Sequence, residues 1–328
     1  MLIYIVRRLL ISVMTLVLIT GCIYGLIRSM PGSPLTAMIA GGSDASDQSI
    51  SAQQYERMKE QFGLNKHWVL GYCDWLAGVC RGDLQNALTQ PGSVAKLISD
   101  RFAATLLLST TSLILAYLLS IPLGLYSTAR NGTIPERGTS MLLYMLYSFP
   151  VFVAALYLQI LFHVNLEWLP LYGVTSSDYA EMSFWGKAWD LFLHSILPVT
   201  CFTYTSLAYY TRFIKANMLE VVQQDYIRTA KAKGVGPFKI LTVHAFRNSL
   251  IPFVTLIGLT LPTLFSGAII IEKIFSWPGM GALFLEAISQ RDYPLVMGLV
   301  LLFSSLTLLG QLLADVLYGV VDPRISYS

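Results

Sequence analysis

The stretch YIRTAKAKGVGPFKILTVHAFRNSLIP, residues 226–252, gathers Arg228, Lys231, Lys233, Lys239 and Arg247 around a Gly234-Val235-Gly236-Pro237 break. Charge is scarce elsewhere: 55% of the 328 residues are apolar, 12% are charged, and the mean hydropathy is +0.59. That is more apolar material than one water-soluble core can hide. The question set by residues 226–252 is therefore where a basic, helix-prone segment sits in a chain whose main solvent is lipid.

Working outward, uncharged runs near the roughly 20 residues needed to cross a bilayer occur at 9–27, 102–126, 139–162, 191–210, 249–271 and 295–320. Only the last holds a charge, Asp315, and each charge near a helix centre costs about 2.5–3.5 kcal/mol on insertion scales. The runs are long and show no strict alternation, and a span must satisfy its backbone within itself in hydrocarbon, so they read as helices rather than barrel strands. The expected fold is an all-α polytopic membrane protein with six transmembrane helices. The first run follows Arg7-Arg8, exceeds the length of a signal-peptide core and lacks a small-x-small cleavage site near Arg28, so it reads as a retained anchor.

Six spans place both termini on one side. That side would hold 12 Lys and Arg residues and the other 10, of which seven lie in the long 28–101 segment. Long segments weigh little in the positive-inside rule, and the short opposite loops hold only Lys187, Lys273 and Arg291. Both termini, and with them the basic 211–247 loop, are expected in the cytoplasm. The chain divides into 1–101, an anchor helix plus an extracytoplasmic subdomain, and 102–328, a core carrying that loop. In the outer segment Cys73 and Cys80 lie seven residues apart. On one helix that is about 10 Å of rise, beyond disulfide reach, so two packed thiols are favoured over a bridge; Cys22 and Cys201 read as packing residues inside spans.

Within the basic loop, Phe213, Met218, Leu219, Val222, Tyr226 and Ile227 suit one amphipathic helix from Arg212 to Lys233. Gly234 and Gly236-Pro237 would end it, and a second helix would start near Phe238. Two helices with a sharp turn form a knuckle. Such a hairpin either lies on anionic lipid or presses into a protein. No aromatic-rich basic platform accompanies it, so nucleic acid is not an expected partner. His163 and His194, at outer span ends and far from clustered Cys or carboxylates, make no metal site. Asp315 lies close enough to the cytoplasmic interface to reach water, which disfavours a proton relay.

The run 226–234, followed by His244-Ala245-Phe246-Arg247-Asn248 and Leu250-Ile251-Pro252, closely resembles the cytoplasmic loop of ABC importer permeases of the dipeptide, oligopeptide and nickel class. The general importer loop begins Glu-Ala-Ala; here Arg228-Thr229 stand in the first two places, while Ala230 and Gly234 keep theirs. Arg7-Arg8-Leu9-Leu10, Met30-Pro31-Gly32-Ser33-Pro34, Gly82-Asp83-Leu84, Ile121-Pro122-Leu123-Gly124, the 275–281 run FSWPGMG, Arg291-Asp292-Tyr293-Pro294 and the 315–324 run DVLYGVVDPR carry the same resemblance over nearly the whole chain. It implies that Arg228, Thr229, Ala230, Lys231, Ala232, Lys233, Gly234 and Val235 couple to an ATPase. Topology alone also accounts for the two lysines.

The chain has no Gly-x-x-x-x-Gly-Lys-Ser/Thr loop, so the expectation is a transport subunit, not an enzyme, with no cofactor of its own and with ATP and Mg on partner subunits. By resemblance the partners are a second homologous permease, two ATPase subunits and an extracytoplasmic solute-binding protein. A translocation path needs a wettable lining. Thr105, Ser109, Ser112, Thr203, Ser206, Thr255, Thr263 and Ser266 are its candidates, although small hydroxylated residues also pack helices together. Pro262 and Gly258 are expected to bend the fifth span. Phe275, Trp277, Pro278 and Gly279 form an outer gate, a contact for the delivery protein or an ordinary interfacial turn. The expected function is half of an ATP-driven import pathway for di- or oligopeptides. The alternatives are nickel or another small solute on the same fold, and a membrane scaffold or receptor whose hairpin recruits a different factor.

Overall fold

The computed structural model describes residues 2–30, 65–249, 256, 260, 264 and 268–321, with side chains from residue 6 to residue 313. These residues are mostly helical and contain no strand. The helices are α1 (Leu2–Ser29), α2 (Trp68–Cys80), α3 (Val94–Ala129), α4 (Ile134–Ser148), α5 (Val151–Gln159, continued by a π turn, Ile160–Asn165), α6 (Phe184–Val222), α7 (Asp225–Ala232), α8 (Pro237–Lys239, continued by a π turn, Ile240–Ala245), α9 (Ile269–Ile274), α10 (Met280–Ser289) and α11 (Tyr293–Val321).

Four of these helices, α1, α3, α6 and α11, are long and apolar enough to cross a membrane, and α4 with α5 makes a fifth candidate if the bent pair is one span. They overlap the first, second, fourth, sixth and third apolar runs. Most of the fifth run, 249–271, lies outside the described residues. The third run is not one helix. It bends by 91° between α4 and α5, because Pro150 has no N–H to donate and forces Phe149 into an extended conformation (φ −79°, ψ 122°).

The bundle is built around the α3–α6 pair. Thr105, Ser109, Ser112, Ala116, Ser120, Gly124 and Ser127 recur every three or four residues along α3, and all are buried. In lipid there is little hydrophobic gain from bringing helices together, so close backbone approach by small residues supplies the attraction. At Gly124 a Cβ would meet Ile214 Cγ2 at 2.6 Å, so α6 occupies that space. Gly298 plays the same part between α11 and α3, where a Cβ would come 2.4 Å from Val94 Cγ1.

The described part of the outer segment does not stand apart from the anchor. Helix α2 folds back along α1, where the Tyr72 hydroxyl donates to Val17 O at 2.9 Å and lies 3.0 Å from Thr20 Oγ1. Arg28 reaches Lys66 O at 2.9 Å. Cys73 and Cys80 sit on this unbroken helix as free thiols, both exposed rather than packed; Cys22 is exposed too, and Cys201 is buried.

Candidate coupling site and the outer turn

The knuckle is two helices set on a buried anchor. The single amphipathic helix expected over 212–233 breaks at Gln223–Gln224, between α6 and α7. The reason is geometric: Ile227 lies nine residues after Met218, which on one continuous helix is about 180° around the axis. The break turns Ile227 back, so both side chains lie fully buried in one cluster with Tyr210, Ile214, Ile240 and Ala245.

Helix α7 ends in a Schellman motif. Val235 N donates to Ala230 O at 3.2 Å and Gly234 N to Lys231 O at 2.9 Å, with Gly234 at φ +77°. That left-handed position favours glycine, which has no Cβ to clash. Asp225 in the first turn and Lys231 in the last complement the helix dipole. Arg228, Thr229, Lys231, Ala232, Lys233 and Gly234 are exposed, while Ala230 and Val235 are half-buried. Arg228 lies 3.6 Å from Asp225, both largely exposed to solvent. The structure thus brings the eight sequence-predicted coupling residues onto one projecting turn. It adds Phe238, 79% exposed directly after Gly236-Pro237; a large apolar residue beside a turn was the signal available in sequence.

Above this knuckle, Lys215 on α6 donates to Glu136 Oε1 on α4 at 2.7 Å, and Ser140 donates to the same oxygen at 2.7 Å. Glu136 is 4% exposed. The Arg212 guanidinium stacks over the Tyr144 ring at 4.7 Å from its centroid. These contacts tie the stem of the knuckle to α4, and residue spacing gave no sign of them.

The path candidates fall in several places. Thr105, Ser109, Ser112 and Thr203 are buried inside the chain, and Thr203 Oγ1 donates to Ser112 O at 3.3 Å across the α3–α6 contact. They present no open surface in this conformation. Ser206 is half-buried. Thr255, Thr263 and Ser266, with Gly258 and Pro262, lie outside the described residues.

At the other end of the bundle, Phe275 and Trp277 are buried, Pro278 is half-buried and Gly279 is buried. Trp277 Nε1 donates to Ala104 O at 2.9 Å, and Met280 N to Thr105 Oγ1 at 2.7 Å. Glu272, which sequence reading passed over, lies fully buried beneath this turn. His194 is also buried, with Nδ1 2.8 Å from Asp190 O. Asp190 in turn accepts from Ser176 N at 2.9 Å, and His163 Nδ1 lies 2.9 Å from Leu169 O.

Comparison with known proteins decides what this architecture belongs to. Residues 120–327 match the family described as binding-protein-dependent transport system inner membrane component. Residues 1–109 match the N-terminal region of such membrane components. The chain belongs to this family. Among relatives of these inner membrane components, the oligopeptide transport system permease protein AppB of Bacillus subtilis is 37% identical over 99% of both chains. The dipeptide transport system permease protein DppB of Escherichia coli K12 is 35% identical over the whole of both. A di/tripeptide transport system permease protein of Pseudomonas aeruginosa is 34% identical over the same extent. Among solved structures, a chain of the MetNI methionine ABC transporter in an inward-facing conformation is similar with a TM-score of 0.51 and 16% identity, covering 70% of this chain and 97% of that one. That likeness concerns the fold alone. The chain is thus a multi-pass inner-membrane component of a binding-protein-dependent transport system.

Proposed function

We propose that this chain forms half of a translocation pathway for di- or oligopeptides, imported at the expense of ATP hydrolysed on separate subunits. Its six spans leave both termini in the cytoplasm, with the fifth span over 249–271. Helix α7 docks into a cleft of one of two ATPase subunits through Arg228–Val235, with Phe238 as a further contact. ATP and Mg reside on those subunits. A second homologous permease completes the pathway, and a solute-binding protein delivers cargo to the face that carries the Phe275–Gly281 turn. Peptide as cargo is supported by the names of the full-length relatives.

The observation that carries the reading is the way α7 is mounted. Its exposed basic face and Schellman turn stand on Ile227, which is wholly buried in the same cluster as the long helix α6. A displacement of α7 therefore moves α6, and packed interiors transmit such shifts rather than absorb them. The test is ATP hydrolysis by the reconstituted complex, with its binding protein, titrated with dipeptides, longer peptides and nickel. Peptide-dependent stimulation supports the proposal; stimulation by nickel alone replaces peptide with metal as cargo, and a chain that recruits no ATPase removes the proposal.

A further inference from the structure

We infer that Glu272 is the positioning residue that latches the Phe275–Gly281 turn onto α3, so that this end of the bundle opens only when its carboxylate contacts break together. The inference rests on the proposed transport function, in which this turn lies on the outer face. Helix α10 begins after Gly279, an N-cap residue with no side chain to receive the helix's first N–H groups. Other elements receive them. Ala282 N donates to Glu272 Oε2 at 2.7 Å, and Met280 N donates to Thr105 Oγ1 at 2.7 Å. Thr105 donates in turn to Glu272 Oε1 at 3.2 Å, and Ala268 N lies 3.4 Å from that oxygen. One carboxylate thus joins α3, α9 and α10.

The glycines show how tightly the joint is built. A Cβ at Gly279 would lie 2.2 Å from Glu272 Cδ, and one at Gly281 would lie 3.0 Å from Glu272 Oε2. Ser276, in the turn itself, holds φ +49°, a strained position for a residue with a side chain. A static joint needs none of this, because apolar side chains of similar volume hold buried elements at least as well as buried charge does. A buried carboxylate held by neutral donors is satisfied only while all of them stay in place, which gives the joint two states rather than a continuum.

The experiment uses the complete transporter in lipid nanodiscs, with the four native cysteines replaced and Met280→Cys introduced at a position that is fully buried. A membrane-impermeant maleimide reports when the turn lifts. Glu272→Ala and the isosteric Thr105→Val are expected to speed labelling several-fold without nucleotide, and to raise ATP hydrolysis in the absence of binding protein. Unchanged labelling in an assembled complex overturns the latch, as does a lowered melting temperature without faster labelling. If Glu272→Ala fails to assemble, Thr105→Val alone decides. Peptide-stimulated hydrolysis by the parent complex is measured separately, so loss of the transport reading is distinguishable from loss of the latch.

Discussion

Ile227→Ala tests how force enters the bundle. The residue is wholly buried and is the only buried residue of α7. Its truncation removes three carbons, or about 2.4 kcal/mol at roughly 0.8 kcal/mol per buried methylene. The unfilled cavity adds to this, placing the expected cost within the range of about 2–5 kcal/mol for such changes. Because α7 is only eight residues long, well short of the roughly 12 residues an isolated helix needs to be even marginally stable, this loss falls on its docking. At about 1.4 kcal/mol per tenfold, the equilibrium between seated and unseated α7 shifts by about 50-fold or more. Uptake into proteoliposomes and peptide-stimulated ATP hydrolysis should both fall, while insertion and unstimulated hydrolysis by the ATPase subunits remain. Full uptake with normal stimulation would refute the idea that Ile227 carries the motion of α7 to α6.

Gly234→Ala places a Cβ in a left-handed conformation (φ +77°), which costs about 1–2 kcal/mol; stimulation should weaken, and Gly234→Pro, with φ fixed near −65°, should abolish it without loss of membrane insertion. Lys215→Met leaves the Glu136 carboxylate without its cation; the pair is only partly buried, so the cost falls below the range of about 3–5 kcal/mol for a fully buried pair. Thermal melting of the purified complex should show a lower midpoint, largely restored by adding Glu136→Gln. Asp292→Ala strips the acceptor from Leu88 N and Thr89 N, both bound within 2.8 Å, at about 1–3 kcal/mol for each buried group left unpaired. Limited proteolysis should then cut the 81–93 loop faster than in the parent.

Much of this was legible in the sequence because lipid makes one demand, long uncharged helices, and the demand shows in composition. The turn at Gly234 was legible for a similar reason, since only a glycine meets its backbone conformation without strain. The break at Gln223–Gln224 was not. It carries neither Gly nor Pro, and it follows from the need to bury Ile227 beside Met218, a demand of tertiary packing. The bend before Pro150 was signalled by the proline itself, which a count of uncharged residues passes over. The contacts of Glu272, Asp292 and Glu136 were not legible, because each has a partner far away in the chain. Glu272 meets Thr105, and Asp292 meets Leu88 and Thr89; no local pattern announces such pairs. The small polar residues of α3 were visible, but sequence offers two uses for them, lining a path and packing helices; Thr105, Ser109 and Ser112 are buried in this conformation.

The central claim is that the exposed turn after α7 touches a nucleotide-driven subunit in the cytoplasm. The direct measurement is site-specific cross-linking from Lys231→Cys, an exposed position, in sealed inside-out vesicles containing the whole complex. The account predicts an adduct with the ATPase subunit whose yield changes when Mg-ATP is added. Adducts formed only with other proteins, or labelling of this position solely from the opposite side of the membrane, would contradict it.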